Sequence, residues 1–308
     1  MDVEGNKIGG LEEGSIATIF RLNQEPEPVF PPKSHLWTGI PLKAKPAEPL
    51  EGVVVFTCSF YGSTEEVRFK CCLDMLGVAK HYGVRVVVVD GSPDDKVREM
   101  MKERGAHEVV KQTAKGKKGA ALREALALAR DVAGDDGDCL LCWTEPEKAD
   151  MGRHWRKIRD AARDGDLDVV VPSRKDAVFK RTYPIEQYHS ESFANAYVNL
   201  AAKAGGFEGE ALDWHFGPFA TKAAHAGFWL EGDGELWDAQ VLPIVRAIQD
   251  GLAVGSVEVD FEAPYPMKKE EENDLAFCGK RLMQINFLDP KVIAAFEKKP
   301  ENKEETAN

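Results

Sequence analysis

Residues 85–95 read RVVVVDGSPDD. Four valines follow one another with no polar residue between them, and the run stops at Asp90 and a Gly-Ser-Pro turn. A strand with one wet face alternates apolar and polar residues, because successive side chains point to opposite sides. A continuous apolar run therefore predicts a strand buried on both faces, as in a parallel sheet covered by helices. Working outward, VVVF (53–56) is a strand ending at Thr57, followed by a helix from about 64 to 81. Downstream come a helix over 94–104 closed by Gly105, the strand HEVVK (107–111), an Ala- and Leu-rich helix over 119–133, and the strand CLLCW (139–143). After one more helix comes DVVVPS (168–173). Strands alternating with crossover helices predict an α/β fold with a doubly wound, mostly parallel sheet flanked by helices.

The second half is less regular. The pattern predicts a helix over about 183–204, a glycine-containing turn DWHFGPF (213–219) into a short strand, and a helix over about 236–251. The strand GSVEVDF (255–261) and a last helix over about 271–285 follow. Residues 1–50 are rich in proline and read as an irregular leader, with Trp37 a candidate anchor. Residues 51–298 read as one domain and 299–308 as a frayed tail.

The bulk numbers bound the function. The chain has 308 residues and a formal charge of −12, which argues against a general nucleic-acid binder, since phosphate backbones are held by clustered Lys and Arg. A nucleotide needs only a few local cations and stays open. Among six cysteines, Cys139 and Cys142 form C-x-x-C inside an apolar strand. Residues three apart on a strand face opposite sides, so the pair reads as buried small hydrophobes rather than metal ligands. No run reaches the roughly 18 apolar residues of a membrane span, and MDVEGNKIGG lacks a signal pattern, so the expected location is cytoplasmic.

In open α/β sheets ligands bind outside the carboxyl ends of the strands. The segments found there are polar. Asp90 can accept hydrogen bonds from a base or ribose, or act as a turn and helix-capping aspartate. In AKGKKGAAL, Lys115, Lys117 and Lys118 are interleaved with Gly116 and Gly119 just before a helix. Glycines admit an anion to backbone amides, and lysines with a helix N-terminus supply positive charge for a diphosphate. The alternative is a solvated basic loop. In WTEPEK, Glu145 and Glu147 are two apart, so an extended backbone aims both the same way, toward Mg²⁺ or Mn²⁺. The alternative is a surface turn.

In order and spacing, these segments resemble the GT-A glycosyltransferases, particularly the family-2-like group and its mannosylglycerate-synthase-like relatives, over roughly residues 51–287. VVVVDGSPDD resembles the group's strand-Asp-Asp-Gly-Ser motif with one aspartate missing. GKKGAAL is similar to its helix entry, and LLCWTEPEK stands where the group has Asp-x-Asp. HFGPFATKAA and GELWDAQV resemble its acceptor-site turn and the acidic motif opening the next helix. The resemblance implies a nucleotide-diphospho-sugar donor, a divalent cation (Mn²⁺ or Mg²⁺) and a hydroxyl acceptor. Thr57, Asp90 and Lys117, with Lys118 and Gly119, would hold the nucleoside diphosphate, and Glu145 and Glu147 would face the metal or sugar. Asp238, with Glu235 as the spare candidate, would be the general base in an inverting enzyme. The chain departs from the pattern in two further places: Glu-Pro-Glu replaces Asp-x-Asp, and VDFEAPYPMKK has no counterpart of the group's metal-site histidine. Two other readings compete with transfer: a sugar-nucleotide-binding protein without turnover, and a sugar-phosphate nucleotidyltransferase. The latter calls for a Gly-rich, Arg-containing loop after the first strand, where TCSFYGSTEE offers one glycine.

Overall fold

The structure is a computed structural model that describes residues 36–39, 42, 46–115 and 117–298. They belong to one compact unit, His35–Asn308. Most of the predicted leader, Gly116 and the predicted tail lie outside the described residues. Where the leader is described, Leu36 is buried and Trp37 is 46% exposed, so Leu36 rather than Trp37 anchors it.

Strand β1 (Val53–Ser59) leads into α1 (Val67–His81), then β2 (Arg85–Asp90), α2 (Asp95–Arg104) and β3 (Glu108–Lys111). Helix α3 (Lys118–Ala133) and β4 (Leu140–Trp143) follow, then a 3-10 turn (Ala149–Arg153), α4 (Trp155–Asp164) and β5 (Val169–Arg174). Helices α5 (Asp176–Thr182) and α6 (Ile185–Ala204) precede β6 (Phe219–Lys222). Next come α7 (Gly227–Leu230), α8 (Asp238–Gln249), β7 (Val254–Val259), α9 (Tyr265–Glu271) and α10 (Leu275–Glu297).

The seven strands lie in the order β3-β2-β1-β4-β6-β5-β7. β1 runs parallel to β2 and β4, β2 to β3, and β5 to β7, whereas β6 is antiparallel to both β4 and β5. The sheet is therefore mixed, with β6 reversed near its middle. The valine run of β2 is buried as its continuity required. Val86 and Val88 join the core on one face with Val53 and Val55, and Val87 and Val89 join the other with Val54 and Phe56. All eight are 0% exposed. Full burial of such a side chain contributes about 1.5–3 kcal/mol over leaving it in water.

Cys139 and Cys142 lie in opposite cores and are free thiols, in keeping with the period of two along a strand. The last helix is longer than its pattern suggested and starts later, at Leu275 behind Asp274, whose carboxylate accepts the Ala276 N–H at 3.0 Å. No described helix is long and apolar enough to cross a membrane.

Candidate functional site

Because β1, β2 and β4 are parallel, their carboxyl ends share one edge of the sheet. The antiparallel β6 pairs Phe219 with Trp143, so the turn at 213–218 enters the sheet beside the end of β4. Beyond the fully buried Trp143 the chain does not stay extended. The Lys148 N–H donates to the Glu145 carbonyl at 3.1 Å, and the Ala149 N–H to that of Glu147 at 2.9 Å. This turn sends the two carboxylates to different partners.

Glu145 sits between two lysines. Its Oε1 accepts from Gln240 Nε2 at 3.1 Å and lies 3.5 Å from Lys118 Nζ, which also donates to Gln240 Oε1 at 3.1 Å. Its Oε2 is buried without a hydrogen bond, and Lys148 Nζ stands 3.8 Å away. Each ammonium also lies against aromatic rings, which attract cations through their π faces. Lys118 is 5.6 Å from the centre of Trp143, and Lys148 is 5.0 Å from Phe216 and 5.7 Å from Phe261. Gly217, at φ +100°, leaves the space the carboxylate uses, since a Cβ there would lie 2.4 Å from Glu145 Oε1.

Burial alone would raise the Glu145 carboxyl, but Lys148, Lys118 and the Gln240 hydrogen bond outweigh it and hold the group below its ordinary range. Burial would lower Lys148, and the fields of Tyr183 and Glu145 overcome that and raise it. Both groups are therefore charged at neutral pH. The neighbouring Cys58 thiol is pushed up to about 12, chiefly by burial, and stays protonated.

Glu147 instead pairs with Arg68, whose other arm pairs with Glu271 on α9. Arg68 also borders a cleft of about 470 Å³ between the starts of α1 and α10, lined by Glu66, Glu270, Phe277 and Lys280 among others. The expectation that Glu145 and Glu147 close on one ion is thus not met by their geometry, because the Glu-Pro-Glu turn separates them. Nor does Glu145 alone fit a divalent ion. Such ions sit about 2.0–2.2 Å from carboxylate oxygens, while one Glu145 oxygen is claimed by Gln240 and Lys118 and the other is covered beside Lys148. Among the described residues no group of three His, Cys, Asp or Glu side chains could hold a metal.

The remaining predicted residues take other places. β1 runs on to Ser59 through pairing with β2, so Thr57 lies opposite Val88 inside the sheet, 0% exposed, rather than beyond its end. Asp90 is also 0% exposed, and its carboxylate is used internally. It accepts from Ser59 Oγ at 2.8 Å, Ser92 Oγ at 2.7 Å and Arg98 Nη1 at 2.8 Å, which ties the end of β2 to the turn and to α2. Gly119 donates its N–H to the Glu235 carbonyl at 2.9 Å, and a Cβ there would lie 2.0 Å from the Gly234 carbonyl oxygen. Its lack of a side chain admits the 234–235 backbone. Lys117 and Glu235 form an exposed ion pair at 2.7 Å. Asp238 accepts the backbone N–H groups of Glu235 and Leu236 at 3.1 and 2.8 Å and pairs with Lys291 at 2.5 Å. Although burial opposes it, these partners hold its carboxyl below the usual range. His215 is buried against Asp289 at 2.9 Å.

Lys118 is the predicted residue that the fold brings into the Glu145 cluster. Lys148, Gln240 and Gly217 were missed; Gln240 and Gly217 reach Glu145 from distant segments, and Lys148 reaches it only because the Glu-Pro-Glu segment turns. A second cluster was missed as well. Arg174, at the end of β5, makes a two-armed pair with Asp213 and a third bond to Glu191, each at 2.7 Å and with the guanidinium 1% exposed.

No protein-family model matches the chain, and no curated protein matches its sequence. Solved structures do match. Glucosyl-3-phosphoglycerate synthase from Mycobacterium tuberculosis, in complex with Mn²⁺, UDP and phosphoglyceric acid, matches at 15% identity and TM-score 0.52, covering 81% of this chain and 80% of that one. The same enzyme with Mn²⁺, UDP-glucose and phosphoglyceric acid matches at 15% identity and TM-score 0.51, covering 81% of each chain. A further mycobacterial protein matches at 17% identity and TM-score 0.51, covering 81% of this chain and 76% of that one. The likeness shows the fold, which is that of the GT-A glycosyltransferases.

Proposed function

We propose that the chain is a glycosyltransferase that moves a sugar from a nucleoside-diphosphate donor to a hydroxyl acceptor. The observation that carries this reading is the Lys118–Glu145–Lys148 cluster at the carboxyl edge of β1 and β4. In a sheet of this kind that edge is the ligand edge. In the reaction, the bond between the sugar's anomeric carbon and the donor's phosphate oxygen breaks, and its electron pair leaves on the diphosphate. The acceptor oxygen forms the new bond and gives up its proton to the diphosphate or to water. Fixed ammonium groups stabilise the charge that grows on the leaving group, and do so best in a site that is already organised. Glu145 and Gln240 hold Lys118 in place, and the rings of Phe216 and Phe261 flank Lys148.

A second reading, a sugar-nucleotide-binding protein without turnover, is favoured by one observation. Both predicted bases, Asp238 and Glu235, are already paired with lysines. The similar mycobacterial enzyme binds UDP-glucose and phosphoglyceric acid, which makes these the first compounds to try. The full chain is incubated with them, then with GDP-, ADP- and CDP-sugars, and the released nucleoside diphosphate and the mass of the glycosylated acceptor are measured. Turnover that Lys118→Met reduces at least ten-fold supports transfer. Binding without release supports the second reading, and neither binding nor release contradicts both.

A further inference from the structure

The cations around the two acidic residues suggest how the donor's charge is met. We propose that this chain binds its nucleoside diphosphate without a divalent ion, with Lys118 and Lys148 standing where a metal would act. The inference rests on the donor-binding reading above.

Three observations support it. First, the carboxylates that spacing would assign to a metal are already matched by protein cations. Glu145 has Lys118 at 3.5 Å and Lys148 at 3.8 Å, and Glu147 has Arg68. A divalent ion at Glu145 would have to displace an ammonium or sit against it, which like-charge repulsion opposes. Second, the lysines are built in rather than loose on the surface. Their side chains are 27% and 16% exposed, and both are packed over rings that favour an ammonium. Glu145 lies between them and spaces them, Gln240 bonds both Glu145 and Lys118, and Gly217 keeps the space open. Third, the local charge has the right sign. Two ammonium groups against one carboxylate leave one net positive charge at the edge where a diphosphate would arrive, without any ion. Lysine is a recognised phosphate partner acting as a point charge, and charge-assisted hydrogen bonds to phosphate are the strong kind.

The test is calorimetric titration of UDP, GDP, CDP and ADP into the full chain, in buffer with EDTA and again with excess Mn²⁺. Mn²⁺ alone is titrated as well, with its electron-spin signal as an independent readout of bound metal. At least one nucleotide binds in EDTA, its affinity changes less than about two-fold on adding Mn²⁺, and Mn²⁺ alone stays free. Lys118→Met and Lys148→Met each weaken that binding about ten-fold or more, the scale of losing one hydrogen bond between charged groups. Lys118→Arg, which keeps the charge, restores most of it and covers the case in which a methionine variant fails to fold. Binding that appears only with Mn²⁺ overturns the inference and leaves the donor reading standing. No binding in either buffer overturns both.

Discussion

At the scale of single residues, the chain's buried charges divide into those that hold structure and those that face the ligand edge. Arg174 and Asp213 belong to the first kind. Burial would raise the Asp213 carboxyl, yet Arg174 and Asn195 hold it below its ordinary value. A folded-state pKa below the unfolded one contributes stability above the unfolded value of about 3.9, and that stability is lost as pH falls through the folded value. Asp213→Asn leaves the guanidinium short of a buried partner and is expected to cost about 3–5 kcal/mol at neutral pH. It should also remove part of the acid-side loss that wild type shows. Urea unfolding at about pH 7 and again at about pH 2–3, below the ordinary carboxyl range, checks both, and an unchanged midpoint at neutral pH would contradict the assignment. Asp90 shows why such roles are hard to read from sequence. An aspartate ending an apolar strand before Gly-Ser is equally suited to a ligand and to a turn. Only the arrival of Arg98 from the next helix and Ser59 from the neighbouring strand decides for the turn.

At the scale of elements, the sequence was most readable where local chemistry sets the ends. Asp94 accepts the Lys96 N–H at 2.9 Å and starts α2, and Gly105 closes it at φ +124°. Asp94→Ala is expected to lower stability by about 1 kcal/mol, measurable as a shift in thermal midpoint. Elements shaped by distant partners were misread: β1 gains Thr57 to Ser59 by pairing with β2. The glycines of the basic loop show the same limit. Gly119 looked like a phosphate glycine, yet it lets α3 meet the 234–235 backbone. Gly119→Ala drives a Cβ into a carbonyl oxygen and is expected to destabilise by about 1–3 kcal/mol. Retained stability by thermal melting would show that the close approach is not needed.

At the scale of the whole molecule, the continuous valine runs made the doubly covered sheet legible, because only burial on both faces tolerates them. The reversed strand β6 was not legible: FATK is four residues long, and direction leaves no trace in so short a run. That reversal matters for function, because it carries Gly217 and Phe216 to the end of β4, where they shape the space around Glu145 and Lys148. The carboxyl edge could be located from the sequence, but the cluster found there joins residues from the turn after β4, from α3 and α8, and from the turn before β6. Spacing along the chain cannot report such a meeting.

If the chain is a glycosyltransferase, a nucleotide-sugar sits at this edge. Hydrogen–deuterium exchange of the full chain, free and with UDP-glucose, GDP-mannose or ADP-glucose, tests it most directly. At least one of them is expected to slow exchange at 57–62, 143–148 and 213–218. Protection confined to the far edge of the sheet, or no protection with any of the three, would contradict it.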